Sequence, residues 1–237
     1  QNALGLLNGL RDRNMQADSI LFSSVISACA KGREWVYALS LLRAMLEDML
    51  EPNDYSYNAG VSACERGGQW ELGLSLLEEM REVRLKLSTI SYSAGISACE
   101  KSGEWQSALS LLRDLKEVEL EANVISYAAG MSACEKGGQW EQALDLLSER
   151  QIKMKLDVIS YNIGITACEK AGQWQQALEL LMELLDATVE LDVVTYTSGV
   201  NACEKGSQFQ QAACFSSDLG LASERRMEVL FHQRLTR

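Results

Sequence analysis

The 237-residue chain is 47% hydrophobic and 23% charged, with one proline, Pro52. It has no run approaching the 18 or so apolar residues of a membrane span, which leaves a Leu-, Ala- and Glu-rich helical composition. Its 22 basic and 33 acidic residues give a net charge of −11, the wrong sign for holding nucleic acid by bulk charge. That average does not fix the charge on any one face.

In chain order, residues 3–18 (ALGLLNGLRDRNMQAD) match the second half of a unit that then recurs, so the chain is expected to open inside a repeat. The apolar start Ala3–Leu7 runs into Arg11, Asp12 and Arg13 and is too short for a signal peptide. A loose copy, SACAKGREWVYALSLL, follows at 27–42. SACERGGQWELGLSLL then appears at 62–77, SACEKSGEWQSALSLL at 97–112, SACEKGGQWEQALDLL at 132–147 and TACEKAGQWQQALELL at 166–181. The last copy, NACEKGSQFQQAACFS at 201–216, decays after its first half. The units run 19–53, 54–88, 89–123, 124–157, 158–192 and 193–227, followed by a tail at 228–237. The expected whole is six tandem repeats, cut from a longer array.

Each unit reads as two helices. In 54–88 the first is expected from near Tyr57 to Arg66, with Tyr57, Val61 and Cys64 on one face. Gly67 and Gly68 stop it. The second is expected from Trp70 to about Val83, burying Trp70, Leu74, Leu77 and Met80. Helices of this length are unstable alone in water, so each must bury its stripe against its partner and the next unit. Gly60, Gly95, Gly130, Gly164 and Gly199 recur inside the first helix, which implies close packing or close approach of a ligand.

Cys29, Cys64, Cys99, Cys134, Cys168 and Cys203 recur once per unit, with no C-x2-C pair, and His232 is the only histidine. This pattern predicts buried, reduced thiols at one structural place, without a zinc site. No phosphate-cradling glycine loop or catalytic constellation can be assembled, so no cofactor, metal or enzymatic activity is expected.

Two families use helix pairs of this length. The tetratricopeptide repeat has its tryptophan early in the first helix, whereas here Trp35, Trp70, Trp105, Trp140 and Trp174 open the second. The units instead resemble the pentatricopeptide repeat. The residues that carry the likeness are Tyr161–Asn162, Ile165, Lys170 and Ala177–Leu180, with Asp192 closing the unit, a pattern repeated in register from residue 3 to about 219. The resemblance implies an all-α fold, a right-handed α-solenoid of tandem helix-turn-helix repeats of the P-type.

It also implies binding of single-stranded RNA, one nucleotide per repeat, by two or three side chains. The first reader follows the aromatic: Ser23, Asn58, Ser93, Ala128, Asn162 and Thr197. The second closes the unit: Asn53, Ser88, Asn123, Asp157, Asp192 and Met227. By the family's rule the first three pairs read adenine, cytosine and adenine, and Asn162/Asp192 reads uracil. Ala128/Asp157 and Thr197/Met227 depart from the rule and carry no assignment. Bases are expected between Ile20, Tyr55, Ile90, Ile125, Ile159 and Val194, and phosphates near Lys31, Arg66, Lys101, Lys136, Lys170 and Lys205. The resemblance further implies a mitochondrial or plastid RNA-processing factor.

The same residues admit a second reading. Short polar residues early in a helix are common caps, and a lysine in the last turn suits the helix dipole. Glu65, Glu100, Glu135, Glu169 and Glu204 directly precede five of the basic residues, as on a salt-bridged surface, and would blunt phosphate attraction. A solenoid that binds protein, as an accessory subunit of a large assembly, therefore stays open as the alternative.

Overall fold

The computed structural model describes residues 19–47, 49–153, 158–186 and 193–205. Helix pairs follow one another along the chain: α1 (Ser19–Lys31) with α2 (Trp35–Glu47), α3 (Asp54–Gly67) with α4 (Trp70–Glu82), and α5 (Thr89–Ser102) with α6 (Trp105–Glu117). They continue as α7 (Val124–Lys136) with α8 (Trp140–Lys153), and α9 (Val158–Lys170) with α10 (Trp174–Asp186), and end on α11 (Val193–Lys205). No strand occurs among the described residues, and none of their helices is long and apolar enough to cross a membrane.

The first helix of each pair starts earlier than apolar spacing predicts: α3 begins at Asp54, three residues before Tyr57. Its start is set by a cap rather than by the core. The Asn53 side chain accepts a hydrogen bond from the Ser56 N–H at 2.9 Å, satisfying one of the helix's orphan donors. Asn123 does the same for Ser126 at 2.8 Å, and Ser88 forms a reciprocal capping box with Ser91. At the other end the stop residue is Gly68, at φ 68°, where a side chain would be strained. The first unit places Arg33 there at φ 61°.

Second helices stop without glycine. Met49, Arg84 and Glu119 take left-handed backbone angles, and the next residue's N–H reaches back to the helix: Leu50 to Met45 O, Leu85 to Met80 O and Leu120 to Leu115 O, at 2.8–3.1 Å. Leu50, Leu85 and Leu120 are half-buried against the core, the hydrophobic contact that accompanies such a stop.

Tyr57, Val61 and Cys64 are buried on α3 as their spacing predicts, but the buried stripe of α4 differs in part. Gly73, Leu76, Leu77 and Met80 are enclosed, whereas Trp70 and Leu74 are only half-buried. The tryptophans face forward along the array: a side chain at Gly67 would collide with Trp35, and one at Gly137 with Trp105. The recurring helix glycines are explained by packing. A Cβ at Gly95 would lie 2.6 Å from Leu77 of the preceding unit, and Gly60 and Gly199 are similarly crowded by Leu76 and Leu181. Leucines from second helices seat directly on first-helix backbone.

Each first helix packs on the next first helix, and each second helix packs on the first helix of the following unit. No second helix lies backbone-to-backbone against another among the described residues. First helices therefore form the tighter, inner wall and second helices the splayed, outer one. Long side chains span the outer gaps: Arg81 pairs with Asp114 and Lys116 with Glu149, both at 2.6 Å. Within a unit, the buried Tyr57 hydroxyl donates to Glu79 at 2.7 Å, and Tyr127 and Tyr161 reach Glu149 and Glu183 in the same way.

Candidate nucleic-acid interface

The inner wall carries an apolar ladder that folding does not use. Ile20, Tyr55, Ile90, Ile125, Ile159 and Val194 each occupy the second position of their helix, and each is between 55% and 74% exposed. Single exposed apolar residues are ordinary; these six stand in register on one face. Residues two, six, nine and thirteen of a helix share a face, so in α1, α3, α5 and α7 each rung leads through alanine or serine toward the basic residue about 16 Å further along.

Two of the predicted reader pairs, Ser23 with Asn53 and Ser93 with Asn123, meet at the junctions between units. Ser23 Oγ shares a 2.7 Å hydrogen bond with Ser56 Oγ, and Ser56 Oγ donates to Asn53 Oδ1 at 2.9 Å. Ser93, Ser126 and Asn123 repeat the arrangement at 2.7 and 3.0 Å. Thr195 Oγ1 likewise donates to Asn162 Oδ1. The hydroxyls at this place, on Ser56, Ser91, Ser126, Ser160 and Thr195, are fully buried. Sequence reasoning missed them, though their place just before the aromatic recurs in every unit from 54 onward.

This relay limits what each reader presents. Asn53 Oδ1 accepts from both the N–H and the hydroxyl of Ser56, so its carboxamide NH2 is the end left for a ligand. Asn123 is held in the same way. Ser23 is only 3% exposed, and its one hydroxyl proton is shared between Ser19 O and Ser56 Oγ, so it presents little surface. Asn58 differs: its Oδ1 is buried without a hydrogen-bond partner, because the hydroxyl that would join it, on Ser91, is committed to the capping box. Ala128 is half-buried and Thr197 exposed, while Asp157, Asp192 and Met227 lie outside the described residues.

The basic ladder is neutralised across units. Lys101 pairs with Glu65 at 2.9 Å, Lys136 with Glu100 at 2.5 Å and Lys205 with Glu169 at 3.2 Å, and Lys170 pairs with Glu135. Each lysine meets the glutamate of the unit before it, not its own neighbour in sequence. Arg66 breaks the series because Ala30 stands in the glutamate's place, and its guanidinium reaches only the Ala30 carbonyl, at 3.5 Å. Lys31 has no carboxylate partner among the described residues. The six recurring cysteines are free and buried; burial pushes the thiols of Cys64, Cys99, Cys134 and Cys168 up to about 11. Among the described residues no group of three His, Cys, Asp or Glu side chains could hold a metal.

A pentatricopeptide repeat domain model matches residues 5–66 and 75–137, more than half of the chain. The chain belongs to the pentatricopeptide repeat family. Further matches cover residues 55–85 (PPR repeat) and 156–205 (PPR repeat family). No curated protein sequence matches it. Similar solved structures include the PPR domain of Arabidopsis thaliana protein-only RNase P 1 in complex with tRNA: 12% identity, 76% of this chain, 95% of that one, TM-score 0.66. Nuclear proteinaceous RNase P 2 from A. thaliana matches at 11% identity over 77% of this chain and 41% of that one, with a TM-score of 0.68. The pentatricopeptide repeat protein PPR10 from maize matches at 19% identity over 89% of this chain, with a TM-score of 0.41; the chain spans 40% of its length. At these identities the likeness is one of fold: the chain is an α-solenoid of the kind these repeats build.

Proposed function

We propose that the chain binds single-stranded RNA along the inner wall of first helices, one nucleotide per junction, as a non-catalytic RNA-processing factor of an organelle. The observation that carries this reading is the ladder Ile20, Tyr55, Ile90, Ile125, Ile159 and Val194, apolar, exposed and in register. Stacked bases are flat apolar surfaces and would fill the gaps between successive rungs. Beside two of the gaps sit paired readers, Ser23 with Asn53 and Ser93 with Asn123, and an extended strand can follow their spacing. The PPR domain of protein-only RNase P 1 was solved in complex with tRNA, which supports RNA as the class of ligand.

Titration with an RNA containing A-C-A-N-U, against a scrambled control and over a salt series, tests the reading. Selective binding is expected. Because four of the lysines are already paired, the salt dependence should be shallow, with a log–log slope between about −1 and −2 rather than the roughly −4 of six free cations. Ser88→Asp keeps a good helix cap and creates an Asn/Asp pair with Asn58, so preference at that nucleotide should move from cytosine to uracil. Unchanged preference would refute base reading at this pair. Absence of RNA affinity together with stoichiometric co-purification of a protein would favour the protein-binding solenoid.

A further inference from the structure

Three departures from the repeat pattern coincide on α3. Tyr55 is the only aromatic among the six exposed rungs, and its hydroxyl lies 3.4 Å from Ser27 Oγ, which holds the ring against the preceding helix while 55% of the residue stays exposed. Asn58 has a buried carboxamide oxygen without a partner, where other readers are joined to a hydroxyl of the next unit. Arg66 lacks the carboxylate that neutralises Lys101, Lys136, Lys170 and Lys205, because residue 30 is alanine.

We propose that α3 is the anchor of the RNA-binding face: the strand is gripped here, and the first helices that follow it extend the contact with little charge of their own. This rests on the first-helix wall being the RNA groove. The chemistry is that of one nucleotide. A base stacks on Tyr55, its edge meets the Asn58 carboxamide, which turns to it because no hydroxyl of the next unit holds it, and a phosphate pairs with Arg66. Asn58 and Arg66 are eight residues apart on one helix, about 12 Å, a span that a nucleotide and an extended guanidinium side chain bridge together. At Lys101, Lys136, Lys170 and Lys205 a phosphate must first displace a glutamate, which cancels much of what the contact supplies.

Ala30→Glu installs the missing carboxylate with the residue that Glu65, Glu100, Glu135 and Glu169 already place there. With the A-C-A-N-U RNA as probe, Ala30→Glu should lower affinity about fivefold at 0.1 M salt and make the salt slope shallower by about 0.7. Arg66→Gln should do the same without adding a carboxylate, which covers the case in which Ala30→Glu disturbs the fold. Glu135→Ala, which frees Lys170 at a distant rung, should instead steepen the slope by about 0.7. Tyr55→Ile, the residue of three other rungs, should weaken binding about fivefold. RNA binding that persists with unchanged affinity and slope in both Ala30→Glu and Arg66→Gln overturns the anchor while leaving RNA binding intact. A wild-type chain with no RNA affinity overturns the proposed function, and the anchor with it.

Discussion

At the scale of the residue, the array is written in small deviations from a common unit. Arg33 occupies a backbone conformation that Gly68, Gly103, Gly138 and Gly172 occupy in other units. A left-handed non-glycine residue costs on the order of 1 kcal/mol, so Arg33→Gly should raise the denaturation midpoint by a few degrees in a thermal melt. The cysteines make a second prediction. With pKa values of about 11, the four most enclosed thiols are ionised to about one part in a thousand at pH 8. Alkylation in native buffer should therefore leave them unmodified until denaturant is added, as mass spectrometry would show. The cysteine reading was legible from spacing alone. The capping of α3 by Asn53 was not: the notion of a base reader and that of a helix cap point to the same residue, and apolar periodicity ignores both.

At the scale of the element, each first helix is squeezed between leucines of two second helices. Gly95 shows how closely: an added methyl would lie 2.6 Å from Leu77 and 3.0 Å from Leu111. Alanine's better helix propensity is worth about 1 kcal/mol, and overpacking costs about 1–3 kcal/mol. Because Leu77 is itself enclosed, Gly95→Ala should be net destabilising by chemical denaturation, and a stabilised variant would show that the leucines have room to move. The repeat phase and the helix pairing could be read from the sequence. Which residues of α4 face inward could not be read fully, because a stripe through Gly73, Leu76, Leu77 and Met80 passes over a glycine that hydrophobicity does not register. The destination of the lysines was also hidden, since their partners lie one unit back and only the stacking of first helices brings Lys101 to Glu65.

At the scale of the whole molecule, stability is a sum of neighbour interfaces and the charge pattern decides how the inner wall is used. Leu112 lies in the core between the third and fourth units, where a Cβ on Gly130 would collide with it. Leu112→Ala should cost about 2–5 kcal/mol. It should lower hydrogen-exchange protection in α5 to α8 more than in α1 and α2, whereas a uniform loss along the chain would contradict nearest-neighbour coupling. The net charge of −11 and the paired lysines together make bulk electrostatics a poor source of affinity. Under the proposed function, stacking on the exposed rungs must supply most of it.

The double variant Ile90→Ser/Ile125→Ser tests that claim most directly. Both side chains are about two-thirds exposed and contribute little to the core, so the thermal midpoint should stay within a degree or two of wild type. Affinity for the A-C-A-N-U RNA should fall about tenfold or more as two stacking contacts are lost. An affinity within twofold of wild type, in a protein that melts normally, would contradict an inner wall that holds RNA by its apolar rungs.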